Sequence, residues 1–119
     1  MSRQRKNLGN KGEDLAVSYL ISKKYRIRER NHRSRFGEID IIAKDRDYIV
    51  LVEVKTKTIF DQGSPEEMVD YFKQKKLRLL AREIIKDNPQ TNIRIDVIAI
   101  DLTTAAPKVN HIINAVEEI

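Results

Sequence analysis

Two carboxylates and a lysine stand out in the sequence because they lie on two consecutive apolar runs. Asp40 follows Gly37-Glu38-Ile39, and Glu53-Val54-Lys55 begins after twelve further residues. Residues i and i+2 of a strand point to the same face, so Glu53 and Lys55 project together. If the two runs pair as a hairpin, Asp40 can join them. Two oxygen donors and one cation that converge suit the binding of a hard metal ion and the attack on a phosphodiester.

The chemistry available to these three residues is that of a metal-assisted hydrolase. Mg²⁺ prefers carboxylate oxygens and usually takes one or two of them, leaving room for water and substrate phosphate. A metal at Asp40 and Glu53 would lower the pKa of a bound water. Lys55 would stabilise the developing negative charge or orient the attacking water. The alternative is a plain Glu53–Lys55 ion pair on an exposed strand. The apolar run favours the metal site, because isolated buried charges are costly.

The charge of the chain is divided unevenly along its length. Among 119 residues, 23 are Lys or Arg and 18 are Asp or Glu, which gives a net charge of +5. Residues 1–35 hold eleven Lys or Arg and three acids, so they carry +8 and leave −3 for residues 36–119. A solvated surface would explain this pattern. The more specific interpretation is a basic surface that binds a polyanion such as a phosphate backbone.

Composition excludes several classes of protein. The chain has no cysteine and only two histidines, which excludes disulfides, disfavours a zinc site and fits a cytoplasmic location. No apolar run approaches the ~18 residues of a membrane span. The basic N-terminus is not followed by an apolar stretch, so no secretory signal is expected. The length predicts one domain over residues 1–119, with a flexible basic tail over residues 1–7.

The elements that must position the candidate residues follow from the apolar pattern. A helical period over residues 8–24 puts Glu13 at the rim of the apolar stripe and Asp14 in solvent. Strands are predicted over residues 25–33, 38–43, 48–56, 93–100 and 109–113. A second helix is predicted to begin at residues 64–67, with Ser64 as N-cap and Pro65 at the first helical position, and to end at Asn88-Pro89. The predicted order is α-β-β-β-α-β-(β).

Five stretches of the sequence together resemble a known family. They are Gly12-Glu13-Asp14-Leu15-Ala16, Glu29-Arg30-Asn31, Gly37-Glu38-Ile39-Asp40-Ile41-Ile42-Ala43, Val52-Glu53-Val54-Lys55-Thr56-Lys57 and Arg94-Ile95-Asp96-Val97. With these stretches the chain resembles the small bacterial YraN-like family of the PD-(D/E)XK nuclease superfamily, whose members are similar to archaeal Holliday junction resolvases. The core motif is matched by Asp40 and Glu53-Val54-Lys55. That motif alone is degenerate, but the combined set is specific and spans nearly the whole chain.

The resemblance implies a fold, a cofactor and a set of site residues. The fold would be an α/β, restriction-endonuclease-like mixed β-sheet flanked by helices. Mg²⁺, or Mn²⁺ as a substitute, would be held by Asp40 and Glu53, with Lys55 as the catalytic lysine. Glu13 would be a further acidic residue of the catalytic site. The chain departs from many relatives at His32, where a Trp is expected, and we interpret His32 as a surface or packing histidine.

Candidates for contacts to a nucleic-acid backbone are basic residues close to the proposed metal. Arg33 and Arg35 lie just before Gly37, and Lys11 is a third candidate. The same role is assigned to three residues early in the second helix: Lys73, Gln74 and Lys76. If that part of the helix borders the site, they would approach the scissile phosphate. The alternative is an ordinary solvated helix face.

Two further acids, Glu38 and Asp96, are predicted to lie outside the metal site. Glu38 shares a strand face with Asp40, and we interpret it as a solvated residue at the end of the strand rather than as a support for the metal site. Asp96 lies among apolar residues of a later strand. We interpret it as a structural acid that pairs with a basic side chain.

Together these predictions describe a metal-dependent endonuclease that hydrolyses phosphodiester bonds in DNA, with branched or junction DNA as one option. The alternative is a nucleic-acid-binding module that uses the nuclease fold without cutting. A third hypothesis is an adaptor whose basic patch meets an acidic protein. DNA is favoured over RNA, which stays open, and no membrane partner is expected. A resolvase-like reaction needs two active sites, which predicts a homodimer, with the edge strand at residues 109–113 as a candidate contact.

Overall fold

The chain folds into two helices and five strands in a computed structural model that describes residues 3–59 and 71–116. The elements are α1 (Arg3–Ser22), β1 (Arg26–Ser34), β2 (Gly37–Asp45), β3 (Tyr48–Lys57), α2 (Tyr71–Asp87), β4 (Asn92–Asp101) and β5 (Lys108–Ile112). The predicted order of elements and the predicted mixed sheet flanked by helices are confirmed. The predicted start of the second helix at residues 64–67 lies outside the described residues.

The five strands form one mixed sheet in the order β1-β2-β3-β4-β5. The first three strands are antiparallel neighbours, β3 and β4 run parallel, and β5 is antiparallel to β4. The parallel pair extends from Tyr48↔Asn92 to Lys57↔Asp101, so β3 has a neighbour along its whole length. A central strand covered on both faces is expected to be apolar throughout, and β3 is so until it reaches Glu53.

Each helix packs on one face of the sheet. The buried cluster on the α1 face consists of Ala16, Leu20, Ile41, Ala43, Val50, Val52, Ile98 and Ile100. The cluster on the α2 face consists of Ile39, Ile42, Ile49, Leu51, Leu77, Leu80, Ala81, Ile95 and Val116. Because the side chains of β3 alternate between the two faces, Glu53 and Lys55 lie on the α2 face together with Leu51.

The pairing of β2 with β3 ends one residue before the candidate site. Ile41↔Val52 is the last pair of the register at that end of the hairpin, and the next pair would have been Asp40 with Glu53. Ile39 packs on the α2 face and Ile41 on the α1 face, so the two-residue alternation of β2 is also broken at Asp40. The candidate carboxylates therefore lie where the antiparallel ladder opens.

The first helix is longer than the apolar pattern predicts. A helix was expected from residue 8 after a flexible tail, but α1 has 20 residues and begins at Arg3. The residues from Arg3 to Asn7 are polar and give no apolar periodicity, yet Arg, Gln and Lys favour helix and no Gly or Pro precedes Gly9. In spite of this length, no helix within the described residues is long and apolar enough to cross a membrane.

Candidate active site

Glu53 is the centre of the candidate site, and two lysines bind it. Its Oε1 atom lies 3.4 Å from Nζ of Lys55 and 2.8 Å from Nζ of Lys73. Lys55 projects from the same face of β3, as predicted, whereas Lys73 comes from the first turn of the described part of α2. Only 5% of the Glu53 side chain is exposed. An ionised carboxylate at that depth requires partners of this kind.

Asp40 lies beside Glu53 and is held by the backbone of the opposite strand. Its Oδ2 atom accepts a hydrogen bond from the backbone N–H of Val54, at 2.8 Å. Burial raises the pKa of Asp40 from its ordinary 3.8 to about 6, with a further contribution from the negative charge of Glu53, while the Val54 hydrogen bond opposes the rise. Two carboxylates that repel each other therefore lie at the open end of the hairpin, as the sequence spacing predicts.

The donor set of this carboxylate pair fits a hard divalent cation. Oε2 of Glu53 is buried and has no hydrogen-bond partner among the described residues. A cation between Asp40 and Glu53 would satisfy that oxygen and relieve their repulsion. Within residues 3–59 and 71–116, no group of three or more His, Asp or Glu side chains is arranged to hold a metal ion. A pair is nevertheless sufficient for Mg²⁺, which is commonly bound through one or two carboxylates with water and phosphate as the other ligands.

The two lysines of the site differ in their protonation behaviour. Burial lowers the pKa of Lys55, and the neighbouring ammonium of Lys73 lowers it further. Burial alone would also lower the pKa of Lys73, but its contacts with Glu53 outweigh that effect and raise it. Lys73 is therefore the firmer cationic partner of Glu53, and Lys55 is the amine that gives up a proton more readily.

Glu13 owes its position to a close contact between α1 and β3. Gly12, the preceding residue, is buried, and a Cβ atom placed there would overlap the side chain of Thr56. Only glycine lets the helix approach the strand so closely at this point. The Glu13 side chain is 16% exposed, which agrees with its predicted place at the rim of the apolar stripe.

The described contacts of Glu13 are with an arginine of β1. Nη2 of Arg30 donates to Glu13 Oε1 at 3.1 Å and to Asp14 Oδ1 at 2.8 Å. Asp14 is 68% exposed, as predicted. The charge of Glu13 also contributes to the raised pKa of Asp40, so it acts on the site electrostatically. The sequence did not predict the role of Arg30. The sequence offered one signal for it: Arg30 and Glu13 have opposite charges and lie in two of the stretches that carry the family resemblance.

Of the two arginines predicted to contact phosphate from the loop before Gly37, Arg35 lies on the turn between β1 and β2, whereas Arg33 belongs to β1 and pairs with Glu38 of β2. Arg33 is 84% exposed and its Nε is 3.4 Å from Glu38 Oε2. Arg35 is 75% exposed and its Nε is 3.9 Å from Glu83 Oε2. Glu38 is itself 38% exposed, which confirms its interpretation as a solvated residue. Both guanidinium groups are accessible from solvent.

The remaining candidates for phosphate contacts are placed differently. Lys11 is exposed on α1, and Gln74 is partly buried on α2. The stem of Lys76 crosses Gly37, whose φ of 132° belongs to the glycine region of backbone conformations. Lys73 points to Glu53 and is part of the charge balance of the site, a role that the sequence did not predict.

His32 and Asp96, which were predicted to lie outside the catalytic site, have the expected structural roles. Nδ1 of His32 lies 2.6 Å from Glu29 Oε2, and the imidazole is 26% exposed on the sheet, as expected for a surface or packing histidine. Asp96 is fully buried and accepts hydrogen bonds from Arg94 at 2.9 Å and from the backbone N–H of Asn114 at 3.0 Å, with His111 Nε2 at 2.7 Å. Its interpretation as a structural acid paired with a base is confirmed.

The sequence of this chain matches a family of proteins over most of its length. Residues 12–100 match the Uncharacterised protein family UPF0102. The chain is similar to a UPF0102 protein of Geobacter metallireducens, with 45% identity over 119 residues that cover 98% of each chain. It is also similar to one of Thermodesulfovibrio yellowstonii, with 48% identity over 112 residues that cover 91% of this chain and 94% of the other. The chain belongs to the UPF0102 family.

The matched region of the UPF0102 family includes the whole candidate site. Glu13, Asp40, Glu53 and Lys55 all lie within residues 12–100. A third UPF0102 protein, from Rhodococcus jostii, is 43% identical over 111 residues and covers 91% of this chain. The YraN-like family resemblance is thereby confirmed as membership of UPF0102.

Proposed function

We propose that this UPF0102 protein is a metal-dependent endonuclease that hydrolyses phosphodiester bonds in DNA. One observation carries the proposal: Asp40, Glu53 and Lys55 meet where β2 and β3 separate, and a buried oxygen of Glu53 lacks a hydrogen-bond partner among the described residues. The PD-(D/E)XK core motif and the mixed sheet flanked by helices support it. A pure binding protein would not need two repelling carboxylates next to an amine of lowered pKa.

Asp40 and Glu53 would hold Mg²⁺, with Mn²⁺ as a substitute. When bound, the metal would activate a water molecule and offset the negative charge on the phosphoryl group. Asp40 binds a cation only in its ionised form. Its pKa of about 6 therefore leaves it competent at neutral pH and protonated in mild acid. The backbone N–H of Val54 fixes one of its oxygens and so orients the other.

Lys55 would act on the attacking water or on the scissile phosphoryl oxygen through its Nζ atom. The Lys55 side chain is 16% exposed and lies on the face that bears Glu53, so its amine can reach a substrate at that carboxylate without leaving the site. An ammonium aimed at developing negative charge in a partly dry site contributes more than it would in water. The lowered pKa also makes Lys55 a readier proton donor than an ordinary lysine.

The charge distribution supports nucleic acid as the substrate. Exposed Arg33 and Arg35 lie at the end of β1 and on the turn that follows it, just before β2, the strand of Asp40. Basic side chains beside a catalytic carboxylate pair position a phosphate backbone without reading its sequence. Branched or junction DNA is included in the proposal on the strength of the resolvase resemblance, with RNA as a comparison substrate. A homodimer is proposed for the same reason, and Val109 and Ile113 near the β5 edge, 38% and 57% exposed, offer it an apolar contact.

The direct experiment is a cleavage assay on branched, flap, nicked and linear DNA and on RNA, with Mg²⁺ or Mn²⁺ and with EDTA. Wild-type protein should cut at least one DNA substrate only when metal is present. Asp40→Ala and Lys55→Ala should abolish cleavage. Asp47→Ala, which removes an exposed carboxylate from the β2–β3 turn, is the matched control and should retain it. Cleavage that survives both site substitutions would falsify the endonuclease assignment.

A second candidate is a module that binds nucleic acid without cutting it. The observation that favours it is the 2.8 Å contact of Lys73 with Glu53, because this ammonium neutralises the carboxylate without a metal. Such a module should bind DNA with an affinity that falls steeply with salt and does not respond to Mg²⁺. Titration of Mn²⁺ at fixed ionic strength separates the two candidates. Metal-dependent binding or cleavage supports the endonuclease, and indifference to the metal supports the binding module.

A further inference from the structure

A cleft of about 200 Å³ lies between the β1–β2 turn and the outer side of α2. Its lining residues are Arg35, Phe36, Leu79, Arg82, Glu83 and Lys86. Phe36 and Leu79 form an apolar floor, and the Phe36 ring also packs against the core cluster of the α2 face. For comparison, an apolar cavity of ~150 Å³ in another protein admits benzene. The Phe36 cleft therefore has room for one planar ring system.

The rim of the Phe36 cleft is predominantly cationic. Arg35, Arg82 and Lys86 contribute three positive charges, against one negative charge from Glu83. The Arg35 guanidinium lies over the Phe36 ring, 4.8 Å from its centre, and because its side chain is exposed it can move aside and cover the outer face of a flat group placed on the ring. The ion pair of Arg35 with Glu83 is long, at 3.9 Å, and exposed. Such a pair is weak, so a phosphate can replace Glu83 as the partner of Arg35. An apolar slot with a cationic rim is complementary to a planar ring that carries a phosphate.

The Phe36 cleft also lies close to the proposed active site, both along the chain toward Asp40 and along α2. Phe36 is the last residue of the turn before β2 and precedes Asp40 by four residues, which is a separation of at most about 13 Å at 3.3 Å per residue. Along α2, Lys76 lies between Lys73 of the site and Arg82 of the cleft, and its stem crosses Gly37 next to Phe36. A strand of nucleic acid that enters the site can therefore follow cationic side chains to the cleft.

We propose that the Phe36 cleft takes one unstacked base of the DNA substrate, with the adjoining phosphate on the cationic rim. The inference rests on the proposed function and narrows its substrate to DNA with unpaired nucleotides near the cut. In an intact duplex a base must first be unpaired and unstacked, at a cost of a few kcal/mol, so the cleft favours bases that are already unpaired. At about 3.4 Å per stacked nucleotide, a separation of 13 Å puts the unpaired base within about four nucleotides of the scissile phosphate.

The test measures binding in EDTA, where no cleavage can occur. A short single strand and the matching duplex are titrated with wild-type protein and with Phe36→Leu, which keeps an apolar side chain on the core but removes the ring. The single strand should lose affinity about tenfold, in the range for one stacked base, and the duplex should lose none. With 2-aminopurine in the single strand, wild-type protein should change the fluorescence of the base and Phe36→Leu should not.

A matched pair of charge variants tests the rim. Arg82→Ala should weaken single-strand binding and reduce its salt dependence by about one ion. Arg26→Ala removes another exposed arginine, at the far end of the β1–β2 hairpin from the cleft, and should leave the preference for single strands unchanged. The melting temperature of every variant is recorded, so a folding defect is recognised directly.

The outcomes separate this inference from the proposed function. If Phe36→Leu weakens binding to the single strand and the duplex equally, or weakens neither, the base-binding cleft is refuted even when the wild-type protein cuts DNA. If Phe36→Leu selectively weakens single-strand binding and no DNA is cut with Mn²⁺, the cleft is supported and the endonuclease assignment fails. If wild-type protein binds neither DNA, both are refuted.

Discussion

Replacing Asp40 with asparagine is expected to stabilise the protein at neutral pH. The folded-state pKa of about 6 lies above the ordinary 3.8, so the contribution of this group to stability is complete below 3.8 and is lost as the pH rises through 6. The gap corresponds to about 3 kcal/mol, at about 1.4 kcal/mol per pKa unit. Asparagine carries no charge to repel Glu53, and its amide oxygen can still accept the Val54 N–H. The gain should be about 3 kcal/mol at pH 7.5 and about 1 kcal/mol at pH 4.5.

Urea unfolding of both proteins in EDTA at the two pH values measures this gain directly, because it gives the free energy of unfolding by extrapolation. Asp47→Asn is the control, since Asp47 is exposed on a turn and its substitution should change stability by less than about 0.5 kcal/mol. A variant that is no more stable than wild type at pH 7.5, or a gain that does not shrink at pH 4.5, would refute the idea that Asp40 is an unfavourable charge in the metal-free site.

Three further results are expected. Gly12→Ala should destabilise the protein by about 2 kcal/mol, because the added methyl group overlaps Thr56. Gly9→Ala should stabilise the same helix by up to about 1 kcal/mol, because nothing lies within 4 Å of the added methyl group, and thermal unfolding of both variants checks these opposite signs. Asp96→Asn should destabilise by about 3 kcal/mol in urea unfolding at pH 7, because it removes the nearer of the two carboxylates that pair with the largely buried Arg94 and leaves Asp45 alone, and a neutral result would contradict the structural role of this acid. Mn²⁺ at about a hundred times its Kd should stabilise wild-type protein by about 2.7 kcal/mol and should not stabilise Asp40→Asn, and equal stabilisation of the two proteins would place the metal elsewhere.

The sequence was sufficient to predict the strands and the main partners at the site. The apolar run of β3 and the turn residues before it predict a central strand and a hairpin, and the i, i+2 spacing then puts Glu53 and Lys55 on one face. These are local properties, so they are readable from neighbouring residues. The end of α2 at Asp87 was predictable in the same way, because Asn88-Pro89 terminates a helix.

The parts that the sequence did not predict depend on contacts between distant residues. Lys73 follows Glu53 by twenty positions, and its ion pair exists only because α2 crosses from β3 to the parallel strand β4 on that face. The ion pair of Arg30 with Glu13 likewise joins two different elements, β1 and α1. The break in alternation at Asp40 leaves no sign in the pattern of apolar residues, because both Ile39 and Ile41 are buried, on opposite faces.

The two metal-binding candidates differ in their contacts across the β2–β3 hairpin. Glu53 belongs to a strand that is paired with β4 along its whole length. Asp40 is flanked by β1–β2 pairs, but on the β3 side it lies beyond the last pair, where its side chain accepts a hydrogen bond from the amide of Val54. Protonation of the carboxylate weakens that bond, and a bound cation preserves the ionised acceptor. The hydrogen-exchange rate of this one amide should therefore rise as the pH falls below about 6, relative to neighbouring β3 amides, and should stay low in the presence of Mn²⁺. A single backbone hydrogen thus becomes a reporter of the charge state of the site, readable without any substrate.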